Sequence, residues 1–307
     1  MQSINWNNFL SKLILGYYDT YTAEIQLMND KVYALFGTRK ISPSLKQQLT
    51  DSIIKEIFLP NVPVRKGKKP VHLSLKPTSA TEGMITEIIQ GLKDDYISQY
   101  FCRMLISYCQ KPFSEREQVL FADHFRLLST ACQNRRPLSL STIWNPQRIH
   151  EVVPYKLAIG REERFNYLLC GETNEETGLQ EARSYRLNRL KMIRYNRHPL
   201  KLESHIISYL ERMLENGPQY MINSDEEACV HMSDAGYRTY QRIYNGRPLH
   251  ERVEQKKDGF YFFYRCSMDQ LYLYFRKFDA GQAEVISPLS LRDRIISFHQ
   301  ESLLQYS

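Results

Sequence analysis

The apolar positions of this chain change period along its length, and each change marks an element. In residues 1–60, Trp6, Phe9, Leu10, Leu13, Ile14 and Tyr17 recur at helical spacing. Ser42 ahead of Pro43 forms an N-cap with proline at the first helical position, before Leu45, Leu49, Ile53 and Ile57. Residues 20–40 between them fit strand or helix, so this segment is expected to be a mostly helical extension that packs on another part of the molecule. Val71-His72-Leu73-Ser74-Leu75-Lys76 then alternates apolar with polar for six positions, which predicts one strand with a polar outer face. Ser79 to Glu82 has the form of a capping box, and Ile85, Ile88, Ile89 and Leu92 supply the stripe of the helix behind it. Ser98 is placed to cap a second helix carrying Phe101, Met104, Leu105 and Tyr108. The unit over 61–112 therefore reads strand, helix, helix.

A further helical pattern, with Val119, Leu120, Phe125, Leu127 and Leu128 apolar and Ser114 to Glu117 as a second capping box, fills 113–136 as a linking helix. From 137 to 201 the pattern breaks into short β-rich runs, at 138–142, 152–157, 165–170 and 183–195, close enough together to suggest a small barrel. Residues 202–307 open with an amphipathic helix (Ile206, Ile207, Leu210, Met213, Leu214) stopped by Gly217-Pro218. They continue as strands near 229–232, 249–253, 260–266 and 283–286 and helices over 268–278 and 289–304, with Asp258-Gly259 as a hairpin signal. The expected fold class is α+β.

Charge changes this picture in one place. The 307 residues carry 41 Lys and Arg against 34 Asp and Glu, a formal net charge of +7. From Ala182 to Leu202 there are seven basic residues (183, 186, 189, 191, 194, 197, 201) and no acidic one, so the excess of the whole protein sits on the last strand of the expected barrel. With a pI near 9.0 and no basic amphipathic helix, the expected partner is nucleic acid before membrane. Neither an apolar run of about 18 residues nor a basic-then-apolar start is present, which points to a cytoplasmic protein. The six cysteines are scattered and the eight histidines dispersed, so reduced thiols, no metal and no cofactor are expected. Gly-rich phosphate loops, Gly-x-Ser-x-Gly and His-Glu-x-x-His are all missing. Glu254-Gln-Lys256, with Asp234 upstream, is the best nuclease-like fragment and too common a pattern to support catalysis.

The segment from Leu127 to Tyr195 resembles a WYL domain, a small Sm-like β-barrel found in many bacterial regulators. The resemblance lies in the helix and strand around Leu127 to Leu138, the turn Val153-Pro154-Tyr155-Lys156-Leu157, and Asn166-Tyr167-Leu168 at the name-giving Trp-Tyr-Leu. It extends to Arg183-Ser-Tyr185-Arg186-Leu-Asn188-Arg189-Leu190 at the closing Arg-x-Phe-Arg-x-Asp-Arg-Ile. Asn replaces the signature Trp at 166 and the usual Asp at 188. Residues 202–307 look like the C-terminal extension that commonly follows WYL domains, which relatives use mainly for dimer contacts. The 61–112 unit resembles a ribbon-helix-helix module, which implies a homodimer joined by a two-stranded ribbon. In that family the ribbon enters the DNA major groove, so His72, Ser74 and Lys76 would face the bases, behind the basic linker of Lys68 and Lys69. A ribbon that serves only as a dimer clasp is the equal alternative.

Arginine guanidinium groups bind phosphates bidentately and tyrosine rings offer stacking platforms, so interleaved Arg and Tyr suit single-stranded nucleic acid. The barrel candidates are Arg186, Arg189, Arg183, Tyr167, Tyr185 and Tyr155, with Lys156, His150 and Arg164 outlying. Strand parity puts Arg183 and Arg189 on one face and Arg186 on the other, so the three can converge only across a bulge or bend. Some of these arginines are expected to be structural clamps. The combined domains resemble the WYL accessory proteins of type VI-D CRISPR systems. That resemblance implies a non-catalytic protein that binds single-stranded RNA and stimulates an RNA-guided CRISPR effector that cleaves RNA. The alternative is a transcriptional regulator whose ribbon binds operator DNA and whose barrel senses a nucleotide or nucleic-acid ligand.

Overall fold

The computed structural model describes residues 5–37, 40–59, 74–92, 97–198 and 200–305. The chain divides into two compact units, Met1–Phe125 and Arg126–Ser307.

The first unit is helical. α1 (Trp6–Leu35) is one helix of 30 residues, so the ambiguous stretch after residue 20 is helical up to Leu35. Asn5 caps it, its side-chain oxygen accepting from the Asn8 N–H at 3.0 Å. α2 (Pro43–Ile53) starts where the sequence predicts, with the Ser42 hydroxyl accepting from the Leu45 N–H, and runs on into a π-helical turn at Ile54–Phe58. α3 (Glu82–Gly91), α4 (Ile97–Gln110) and α5 (Phe113–Leu120) complete the unit. One face of α1, Leu13, Ile14, Tyr17 and Tyr21, is buried with Ile85 of α3 and with Met104 and Tyr108 of α4. The extension thus packs on the two helices that follow it.

Several local expectations are corrected here. Neither capping box forms. The Thr81 hydroxyl turns back to the Thr78 carbonyl and leaves α3 without a side-chain cap, and Ser114 and Glu117 lie buried within α5, behind Pro112. Ser98 sits inside the first turn of α4, which begins at Ile97. Of the expected ribbon, Val71, His72 and Leu73 lie outside the described residues, as do Lys68 and Lys69. Ser74, Leu75 and Lys76 belong to no strand. The Lys76 N–H donates to the Asn7 side-chain oxygen at 2.7 Å, a bond that ladder pairing through that group would have to give up, and Leu75 packs on the α1 core.

The second unit begins inside α6 (Ala122–Asn134), so the expected linking helix is two helices, broken at Phe121. A five-stranded antiparallel sheet follows: β1 (Leu138–Thr142), β2 (His150–Ile159), β3 (Asn166–Thr173), β4 (Gln180–Arg186) and β5 (Leu190–Tyr195), in the order β4-β3-β2-β1-β5. The edge strands β4 and β5 do not pair, so the expected barrel is not closed by hydrogen bonds. They are nevertheless consecutive, joined by a 3-10 turn at Leu187–Arg189. A flat sheet would hold its outer strands roughly 19 Å apart at about 4.8 Å per strand. Four Cα steps reach at most about 14 Å. The sheet therefore has to curl, and the curl comes from the short corner rather than from edge pairing.

α7 (Ser204–Asn216) then leads to a second antiparallel sheet with α8 (Asp234–Arg242), α9 (Met268–Phe275) and α10 (Leu289–Leu304) around it. Its strands are β6 (Ala228–Met232), β7 (Arg252–Lys256), β8 (Gly259–Tyr264) and β9 (Ala283–Ser287), in the order β7-β8-β6-β9. One core joins the two sheets: Leu169 of β3 and Ala182 of β4 are buried with Ile206, Leu210 and Met213 of α7 and with Val230, Phe262 and Tyr264 of the second sheet. The sequence boundary at residue 201 is therefore crossed by continuous packing. Glu254-Gln-Lys256 is part of β7, where Glu254 pairs with Arg252 and Lys256.

The corner has a clear anchor. Leu187 is fully buried, and the Arg189 carbonyl accepts from the Ile143 N–H at 2.9 Å. Leu187→Ala is expected to cost about 2–5 kcal/mol, the usual range for emptying a buried leucine site. Urea denaturation followed by circular dichroism measures it.

Candidate nucleic-acid interface

The corner between β4 and β5 supplies the bend that strand parity demanded, yet it leads the three arginines to three different partners. Arg183 lies opposite Cys170 on β3 and reaches carboxylates. It donates to Glu181 at 2.6 Å and stands 3.9 Å from Glu172. Glu172 is a local hub. It accepts from the Tyr185 hydroxyl at 2.5 Å and lies 2.6 Å from His150 Nδ1, which is itself 3.0 Å from the Tyr185 oxygen. Burial above all, with the adjacent Cys170 and the bond to Glu172 adding to it, holds the Tyr185 phenol well above its ordinary range. His150, Tyr185 and Arg183 thus converge, and what they converge on is an anion supplied by the protein.

Arg186 has a structural setting. It pairs across the strands with Tyr167, its guanidinium carbon lies 2.8 Å from the centroid of the Phe165 ring, and it stands 3.6 Å from Glu163. The Tyr167 hydroxyl donates to the same Glu163 at 3.3 Å. Tyr167 itself is buried, and that burial, with Glu163 nearby, pushes its phenol up to about 12. Tyr155 is half-buried under Arg135, whose guanidinium carbon lies 4.2 Å from the ring centroid and which donates to the Tyr155 carbonyl. Lys156 and Arg164 are exposed, Arg164 with a left-handed backbone (φ 59°) in the turn between β2 and β3. Ser74 and Lys76 are exposed in the first unit. Asn166, at the position of the signature Trp, is buried in β3.

A cleft of about 480 Å³ opens beside the Glu172 hub, and its charge is wrong for a phosphate: Glu172, Glu175, Glu176 and Glu181 line it against Arg148 and Arg183. A row of cations without carboxylates lies elsewhere, at the β4–β5 corner and along β5. Arg189, Lys191 and Arg194 are exposed and have no carboxylate partner among the described residues. Pairing with β1 shifts between Ser141 and Thr142, so that Lys191 is the extra, bulged residue of the strand. An aromatic ring stands at each end of the row. The Arg189 guanidinium carbon lies 6.0 Å from the centroid of Trp144, and that of Arg136 lies 3.8 Å from the centroid of Tyr195.

Sequence reasoning missed Trp144, which is 75% exposed in the loop between β1 and β2. One of only two tryptophans, followed by Asn-Pro at the end of a strand, it carried a usable signal. A large aromatic beside a turn has no helical or strand face on which to be buried.

Among the described residues no group of three His, Cys, Asp or Glu is placed to hold a metal ion, and no helix is long and apolar enough to cross a membrane.

No protein-family model matches the sequence, and no curated protein matches it. The fold is shared with a solved structure. A crystal structure of a CRISPR Cas-related protein superposes with a TM-score of 0.67 over 100% of this chain and 87% of that one, at 16% identity. At that identity the likeness shows the fold alone. The proteasome accessory factor B/C of Arthrobacter aurescens aligns with 73% of this chain and 34% of its own, at 16% identity and a TM-score of 0.30, too low to bear on the fold.

Tyr185→Phe leaves the half-buried Glu172 carboxylate with one donor fewer and is expected to destabilise the second unit by about 1–3 kcal/mol, read by urea denaturation near neutral pH. Tyr167 gives a pH test. Its phenol pKa is raised from the ordinary 10.0 to about 12 in the fold, so its contribution is complete below pH 10 and disappears as the pH rises from about 10 to 12. Tyr167→Phe should lose less stability than the parent protein over that interval.

Proposed function

We propose that this chain is a non-catalytic, homodimeric accessory protein that binds single-stranded RNA on a WYL-type barrel and acts alongside an RNA-guided CRISPR effector that cleaves RNA. One observation carries the binding site: Arg189 at the corner, with Lys191 and Arg194 on the edge strand that follows it, lies exposed with no acidic partner among the described residues. The sequence resemblance to WYL accessory proteins supports the RNA and the effector. The fold shared with a CRISPR Cas-related protein is consistent with that setting.

The row suits a flexible strand better than a duplex. From Arg189 to Arg194 is five residues, roughly 17 Å at about 3.3 Å each. A single strand can follow such an edge with its phosphates on the cations and its bases turned to neighbouring rings. Arg186 is excluded from the contact set because its guanidinium is already committed to Phe165 and Glu163.

Replacing Arg189 and Lys191 together by Ala should weaken binding to labelled oligouridylate and reduce the slope of log affinity against log salt by about 1.4, at about 0.7 per phosphate contact on a single strand. Arg186→Ala should lower thermal stability and leave that slope in place. An unchanged slope in the double variant would remove the β5 edge from the interface.

A further inference from the structure

Trp144 is the least expected side chain of the basic sheet. A tryptophan that is 75% exposed leaves most of a large apolar ring in water, and Ile143 and Ile149 on the same loop are exposed beside it. The loop is nevertheless built. The Ile143 N–H is tied to the Arg189 carbonyl, the Asn145 N–H to the Thr142 hydroxyl at 3.3 Å, and the Arg148 N–H to the Asn145 side chain at 3.3 Å. The first of these bonds fixes the base of the Trp144 loop to the corner that carries Arg189. The indole is thus held out of the core near the start of β5, whose cations Lys191 and Arg194 lack carboxylate partners among the described residues.

We infer that Trp144 and Arg189 form a clamp for one unpaired nucleotide, the indole stacking on the base and the guanidinium holding an adjacent phosphate. The inference rests on the proposed binding of single-stranded nucleic acid along β5 and adds a contact of another kind. A cation within 6.0 Å of an indole centroid, with no acidic partner, presents a π-face and a positive charge side by side. An unpaired nucleotide offers the matching pair of groups. A paired base offers no free face, so the clamp selects single strands over duplex. Stacking does not read the sugar, so the clamp takes ribose and deoxyribose strands alike, and any preference for RNA arises elsewhere on the surface. An apolar protein segment would fit the indole and leave Arg189 without a partner.

The test uses the full chain in a Trp6→Phe background, which leaves Trp144 as the sole tryptophan. Labelled oligouridylate, oligothymidylate and a duplex are titrated at one stated salt concentration, with anisotropy and tryptophan emission both read. Both single strands should quench the emission as they bind. Trp144→Ala should weaken binding about 5- to 140-fold, the equivalent of one base stack, with the salt slope unchanged, and Trp144→Phe should restore most of the affinity. Because the side chain is exposed, the denaturation curve of Trp144→Ala should match that of its parent. Oligouridylate binding with unmoved emission, and with equal affinity for Trp144→Ala, would overturn the clamp and leave the β5 interface standing. Preference for the duplex would overturn the clamp as well. Failure of all three probes to bind would overturn the clamp and the proposed function together.

Discussion

Everything on the basic sheet depends on a short connection. β4 and β5 are at opposite edges of a five-stranded sheet, yet only Leu187, Asn188 and Arg189 separate them. That reach is too short for a flat sheet, so the strands must curl until the two edges approach. The buried Leu187 fixes the corner from inside and the Ile143 to Arg189 backbone bond fixes it from the neighbouring loop. The same corner interrupts the alternation of side chains. Arg186 closes β4 against Phe165, while Arg189, three residues on, is released to the surface beside Trp144.

That interruption explains why the charge excess is not one site. Seven basic residues in a row of sequence look equivalent, but the fold gives each a different electrostatic neighbourhood. On β4, Glu172 and Glu181 sit opposite or beside Arg183, and Glu163 answers Arg186. Glu163 and Glu172 come from other stretches of the chain, and Glu181 stands just ahead of the basic run on β4 itself. On β5 the only cross-strand neighbours are those of β1, and Leu-Ser-Leu-Ser-Thr carries no carboxylate. The cations of β5 therefore keep no acidic cross-strand neighbour, through the composition of β1 as much as through β5 itself.

Much of the fold could be read in the sequence where periodicity was strong. The helix at Pro43, both helices behind residue 82, the first three strands of the basic sheet and the β7–β8 hairpin follow from apolar spacing and turn chemistry, whereas the run 183–195, expected as one strand, is two strands parted by the turn at Leu187–Arg189. Local capping was less legible, because Ser79 and Ser114 match the motif while Thr81 and Pro112 occupy the positions that count. The site was legible in part. Arg189 was identified, and its neighbour Trp144 was not, since they are 45 positions apart in sequence and meet only because β1 pairs with β5. Two of the acidic partners of Arg183 and Arg186 were hidden for the same reason, since Glu163 and Glu172 reach β4 only in the fold, while Glu181 lies two residues before Arg183 on the same strand.

The first unit bears on oligomeric state through the same logic of unpaired groups. A lone strand at 71–76 calls for a second chain because its backbone donors and acceptors would otherwise lack partners. In the described part of that stretch one of those groups is already paired within the chain. Lys76 N–H has Asn7, and Leu75 is packed with α1. One face of α3 and one of α4 are also occupied, since Ile85, Met104 and Tyr108 are buried with Leu13, Ile14 and Tyr17. Ladder pairing through the Lys76 N–H would have to displace the Asn7 side chain. A homodimer of this protein has to draw its stability from surface other than the α1-facing sides of those two helices.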